Sequence, residues 1–119
     1  MIPESEVPQL LKQYIPAIGA HLAGTEEKGY LYKDMYLLYQ HTCQRIDDHN
    51  YGAVKSCFAL AERLYEQGSN KVKTAVENVY VFAFSTMLRC CREEKQQVLA
   101  LIPITLYTLY INQLQAKGC

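Results

Sequence analysis

The chain has 119 residues and a mass of 13.6 kDa, the size of one domain. Twelve Lys and Arg balance twelve Asp and Glu, half of the residues are hydrophobic and 11% are aromatic. This composition excludes a disordered chain, and a net charge of zero argues against a protein that grips nucleic acid. Neutrality hides a small asymmetry, because residues 1–60 carry five basic and seven acidic side chains and residues 61–119 carry seven and five.

The N-terminus, MIPESEVPQLLKQ, holds acids where a secretory leader needs bases and has no apolar run, so no signal peptide is expected. The spacing predicts a first helix over about Glu4 to His21, capped by Ser5, with Pro8 near its first turn. Leu10, Leu11, Tyr14, Ile15 and Ile18 form its apolar stripe, and Pro16 should kink or split it. Gly24 and Gly29 then bracket a polar loop, Thr25 to Lys28.

A second helix is predicted from about Tyr30 to Asp47. Leu31, Met35, Leu38, Thr42 and Ile46 follow the helical period and should face the core. A second stripe, Tyr32, Tyr36, Tyr39 and Cys43, repeats at the same period. Asp47, Asp48, His49 and Asn50 end the helix and supply the cap of the next. That third helix, about Tyr51 to Gln67, should bury Val54, Cys57, Phe58, Ala61, Leu64 and Tyr65. Gly68 is placed to stop it in the C′ position, and Ser69 or Asn70 to cap the fourth helix.

The fourth helix, about Lys71 to Arg92, is apolar all round over Val79 to Phe84, which predicts burial on several sides and a central place in the fold. The fifth, about Glu94 to Ala116, should be kinked or broken at Pro103. No charge stands between Gln96 and Ala116. Its most apolar part, Val98 to Ile111, would rise only about 21 Å as a helix, against roughly 30 Å for a hydrocarbon core. A buried helix or an interface between copies is expected there rather than a membrane span. The fold class expected is all-α, a compact single domain (1–119) of about five antiparallel helices, with the helix near 71–92 at its centre.

The five cysteines, Cys43, Cys57, Cys90, Cys91 and Cys119, are odd in number and contain no C-x-x-C pair. Neither a disulfide framework nor a zinc knuckle fits, and free thiols in a reducing cytoplasm are expected. Arg89 and Arg92 flank Cys90-Cys91 and would lower a thiol pKa, although both cysteines continue an apolar helix path. Lys71, Lys73, Arg89 and Arg92 fall at opposite ends of the fourth helix and read as a solvated rim.

Asp47, Asp48 and His49 are the metal-ligand candidates, with His41 two turns upstream, but capping is the expected role of acids at a helix junction. His41 and Cys43 lie about 200° apart on their helix and cannot act as a local pair. Glu77 precedes the apolar centre of the fourth helix, where a buried carboxylate can serve as a base, or it can pair with Lys73. No cofactor and no catalytic residue is expected from these patterns. Ten tyrosines are the compositional anomaly, and Tyr30, Tyr32, Tyr36, Tyr39 and Tyr51 fall in or beside the second helix. Tyrosine joins a large contact area to a polar tip and is enriched at interfaces, so Tyr32, Tyr36 and Tyr39 are the interaction candidates.

Ala61 to Gly68, followed by Asn70 to Val76 and by the block Val79-Tyr80-Val81-Phe82-Ala83-Phe84, resembles a family of small bacterial all-helical proteins of unknown function. In that family a helix ending in Glu and Gly precedes one that opens with a charged residue and Val and continues into a Val- and Phe-containing block. The likeness covers about Tyr30 to Leu88 and departs where Ser85-Thr86 stands in place of the family's Glu. Such proteins often sit near bacterial toxin systems, so the resemblance implies an immunity-type role and brings no catalytic residues. The expected function is a non-enzymatic cytoplasmic protein-interaction module with a protein partner, no nucleic acid or membrane, and a homodimer as one arrangement. The alternative is a small-molecule or metal-binding helical enzyme using Asp47, Asp48, His49, His41 or Glu77.

Overall fold

In a computed structural model of the full chain, which describes residues 1–21 and 31–116, every extended element is helical. Residues 22–30 and 117–119, and with them Gly24, the expected loop Thr25 to Lys28, Gly29, Tyr30, Gly118 and Cys119, lie outside the described residues. The chain forms an all-α single domain with a Cα radius of gyration of 13.7 Å, matching about 13.5 Å for a compact chain of this length.

The first predicted helix is split as Pro16 requires. A 3₁₀ turn (Glu4–Glu6) leads into α1 (Val7–Tyr14), Ile15 leaves helical geometry, and a 3₁₀ segment (Pro16–His21) comes next. Ser5 lies inside the 3₁₀ turn and does not cap, because α1 starts from a residue already in helical conformation, Glu6, whose side chain makes no capping bond. Pro8 sits in the first turn as expected. Val7, Leu11, Ile15 and Ile18 are buried, whereas Tyr14 is turned out to solvent, where Arg63 Nη1 donates to its hydroxyl.

α2 (Leu31–Asp47) and α3 (Tyr51–Gln67) follow the expected bounds and pack on each other. The Asn50 side chain accepts from the Ala53 N–H at 3.2 Å and caps α3. Gly68 ends α3 but in extended, not left-handed, geometry (φ −76°, ψ 160°). The reason is a short parallel bridge: Ile2 N–H donates to Gln67 O at 2.6 Å and Ser69 N–H to Ile2 O at 2.8 Å, tying the N-terminus to the α3–α4 corner. The Ser69 hydroxyl accepts from Val72 N–H and caps α4 (Asn70–Ala75).

The predicted long fourth helix is interrupted twice. α4 passes into a π-helical stretch (Val76–Val81), and α5 (Phe84–Cys90) begins after a two-residue turn. Glu77 O accepts from Phe82 N–H, five residues on, and from Gln113 Nε2 at 2.7 Å, so a side chain from the last helix supports the widened turn. The extra residue shifts the helical register. Val76, Tyr80, Val81 and Phe84 point inward and are fully buried, but Phe82 is 54% exposed, so this centre is not apolar-buried all round. Phe58, Tyr80, Phe84 and Tyr110 meet edge-on or tilted, with neighbouring ring centroids 5.5–6.5 Å apart, at the middle of the core.

After a 3₁₀ turn (Arg92–Glu94), the charge-free segment is broken at Pro103 as expected, into α6 (Lys95–Leu101) and α7 (Ile104–Ala116). Their axes bend by 117°. Val98, Ile102 and Leu106 fasten this corner to the core. No single described helix is long and apolar enough to cross a membrane, and the α6–α7 pair would have to do so around that bend.

Candidate functional site

α2 carries two chemically different stripes, and they arise from its sequence at 100° per residue. Leu31, Met35, Leu38, Thr42 and Ile46 form the buried side, as predicted. The tyrosine stripe lies next to it: Tyr32 and Tyr36 are 48% and 46% exposed, and Tyr39 is half-buried against the core. Tyr36 meets Tyr39 edge-on at 6.0 Å. The Tyr32 hydroxyl accepts from Asn78 Nδ2 at 3.3 Å, which steadies the ring against the π-helical stretch. Beside Tyr32 opens a groove of about 360 Å³, lined by Glu4, Leu31, Asn70, Lys71 and Thr74. Burial, and then contact with the Cys43 thiol, push the Tyr39 phenol well above its usual pKa, so it serves as a hydrogen-bonding group and not as an acid. The structure thus places Tyr32 and Tyr36 at the surface and uses Tyr39 to root the stripe.

A second polar constellation forms at the α2–α3 corner, where the sequence offers Asp47, Asp48 and His49. The structure disperses these three. Asp48 Oδ2 pairs with Arg45 Nη2 at 2.9 Å, Asp47 is exposed at the end of α2, and His49 turns away toward Glu94, 45 residues on. His49 is the one non-glycine described residue with left-handed backbone (φ 58°), a conformation that carries strain and recurs at functional positions. Its Nδ1 meets Glu94 Oε1, which also accepts from the Tyr51 hydroxyl at 2.7 Å. That hydrogen bond is the main reason the Tyr51 phenol is held above its usual pKa. A cavity of about 340 Å³ lies alongside, lined by His49, Arg89, Cys90, Cys91, Glu93 and Glu94.

The vicinal thiols differ. Cys91 is buried, points to Leu88 O at 3.7 Å and is pushed up by burial, while Cys90 faces outward. Among the described residues no group of three or more His, Cys, Asp or Glu side chains is arranged to hold a metal ion. Glu77 does not pair with Lys73. Tyr65 stands between them, its hydroxyl donating to Glu77 Oε1 at 3.4 Å and its ring lying 5.9 Å under Lys73 Nζ. His41 lies in a cleft facing the first helical segments, held below its usual pKa by burial and then by Arg45.

Sequence reasoning missed Asp34 and Glu94. Asp34 is 1% exposed, and burial pushes its carboxyl up to about 6. Its neighbours in sequence mark it as an ordinary first-turn acid, so nothing local predicts the burial. Glu94 reads as one of a charged pair at a helix start, and only the folding of α6 onto α3 brings it to His49.

The chain belongs to the family described as a domain of unknown function, DUF7674, which matches residues 8–117. No curated protein and no solved structure matches it.

Proposed function

We propose that this member of an uncharacterised family is a non-enzymatic protein-interaction module of the cytoplasm that recognises its partner through the tyrosine stripe of α2. The observation that carries the reading is the pair Tyr32 and Tyr36, one helical turn apart and half-exposed, with Tyr32 bordering a groove that holds one acid and one base, Glu4 and Lys71. Rigid aromatic side chains with a polar tip and two rotatable angles bind at low entropic cost. The thiols of Cys43, Cys57, Cys90 and Cys91 are all unpaired, which suits a reducing compartment. Neutralisation of a cognate toxin is the specific form of this role implied by the family resemblance. Affinity capture from the native host with the wild-type chain and with a Tyr32→Ser/Tyr36→Ser variant tests it. A partner held stoichiometrically by the wild type and lost by the variant supports the reading, and a wild type that captures nothing at micromolar concentration sinks it.

The homodimer belongs to the same reading. Ile104 and Tyr107 on uncharged α7 are 75% and 38% exposed, beside an apolar recess that includes Leu99 and Ile102.

A second reading, a small-molecule-binding helical enzyme, is favoured by one observation. Glu94 orients the His49 imidazole at a cavity that also holds the Cys90 thiol, and a base fixed by a third group is the usual means of activating a nucleophile. Iodoacetamide labelling of Cys90 decides it: a rate that falls at least tenfold in His49→Ala keeps this reading, and an unchanged rate removes it.

A further inference from the structure

Among the described residues two buried side-chain atoms have no hydrogen-bond partner, Asp34 Oδ1 and Arg45 Nε. Both belong to α2. Eleven residues separate them, which at 100° per residue returns them to within about 20° of the same side, and His41 falls between them. The Asp34–Arg45 side is turned about 200° from Tyr32.

At its C-terminal half the side borders a cleft of about 230 Å³ between α2 and the 3₁₀ segment Pro16–His21. Ile18 and Leu37 give the cleft apolar walls, and Gln40, His41, Gln44 and Arg45 give it polar ones. No acidic side chain is among these lining residues. Gln40 and Gln44 are one turn apart, so their carboxamides approach the cleft from the same direction. The Arg45 side chain is 27% exposed and pairs through Nη2 with Asp48, outside the cleft lining, while its Nε is buried without an acceptor. A buried donor atom without an acceptor is unfavourable, and an ordered water or a bound ion is a common way such an atom is satisfied.

We propose that this cleft is a binding site for a small oxyanion, a carboxylate or a phosphate, whose oxygen accepts from Arg45 Nε. The carboxamides of Gln40 and Gln44 and the ring of His41 supply the flanking hydrogen bonds. The guanidinium matches a planar or tetrahedral oxyanion through more than one N–H, which an ammonium in its place cannot do. The volume holds on the order of eight waters at about 30 Å³ each, which suits a small acid or inorganic phosphate.

The test is titration of the isotopically labelled full chain with sodium phosphate and, separately, sodium acetate, at ionic strength held constant with chloride. The Arg45 Nε–H and His41 ring resonances are followed. Saturable shifts with one of the two anions, at a dissociation constant of a few millimolar or tighter, identify the class. Arg45→Lys, which keeps the charge but lacks the donor, should weaken binding at least tenfold. Gln40→Ala/Gln44→Ala, which leaves the Arg45–Asp48 pair intact, should weaken it severalfold. No saturable shift with either anion up to 50 mM, or equal binding by a folded Arg45→Lys variant, overturns the proposal; a cleft filled by water alone gives the first of these results.

Discussion

The Tyr80 hydroxyl donates to Thr42 Oγ1 across the buried contact between α2 and the π-helical stretch, at 2.8 Å. The direction is fixed by the neighbour. The one hydroxyl proton of Thr42 is already given to Leu38 O at 2.8 Å, so Thr42 can only accept from Tyr80. Both side chains are 0% exposed, and each polar atom in the relay is satisfied by the next. Burial raises the Tyr80 phenol far above its usual pKa and keeps it a donor.

Tyr80→Phe removes the donor and leaves Thr42 bonded to its own helix, so it should cost about 1 kcal/mol. Thr42→Val leaves the Tyr80 hydroxyl buried without an acceptor and should cost more, about 2–3 kcal/mol. The double variant should cost less than the two losses added, which chemical denaturation in a double-mutant cycle measures directly. Additive losses would mean that the two hydroxyls do not act as a unit.

Asp34 makes stability depend on pH. Its carboxyl stands at about 6 in the folded chain against 3.8 when free, and burial is the first cause, with Lys33 opposing. A raised acid pKa means that the folded state holds the proton more tightly. The contribution is therefore neutral below about pH 4, turns into a penalty as pH rises toward 6, and is complete above that. The penalty should be about 3 kcal/mol at pH 7.5. Asp34→Asn should raise the melting temperature at pH 7.5 by several degrees and leave it nearly unchanged at pH 4. A melting temperature that moves equally at both values contradicts the assignment.

Gly68 is required by space and not by left-handed geometry. A Cβ placed there would stand 2.2 Å from Leu64 O and 2.6 Å from Val72 Cγ1. The first of these is backbone and cannot yield without opening the end of α3. Gly68→Ala should therefore destabilise by at least about 2 kcal/mol, and amide exchange at Ile2 and Ser69 should rise with it, since their N–H groups form the bridge at this corner. Unchanged protection at both amides would contradict the coupling.

Much of this fold is written in local patterns. Asn50 and Ser69 cap as their residue types promise, Pro16 and Pro103 break helices, and the aliphatic stripe of α2 is buried along its length. The π-helical turn is not legible, because it depends on Gln113 reaching Glu77 O from 36 residues away. Gly68 misleads for the same reason: a C-terminal glycine suggests a left-handed stop, and only the distant Ile2 shows why extended geometry is needed. The tyrosine stripe is visible as a period, while the exposure of Phe82 reverses an expectation drawn from the same kind of pattern. At the α2–α3 corner the acids and His49 look like one cluster in sequence, yet Arg45 and Glu94 draw them apart.

Self-association has its own readout. If Ile104 and Tyr107 join copies of the chain, light scattering should show mass rising with concentration, and Ile104→Glu/Tyr107→Glu should hold the protein monomeric without lowering its melting temperature. Both side chains are largely outside the core, so the double variant should fold. A wild type that stays monomeric at all accessible concentrations removes this surface from the account.

The proposed recognition role turns on Tyr32 and Tyr36, and the affinity of the captured partner for wild-type and variant chains is its most direct test. Isothermal titration should show each single Tyr→Ser change weakening binding about thirtyfold, the equivalent of about 2 kcal/mol for an interface anchor. The same variants should keep the wild-type melting temperature to within about 2 °C, since both rings are half-exposed. Wild-type affinity retained by the folded Tyr32→Ser/Tyr36→Ser variant would contradict the account.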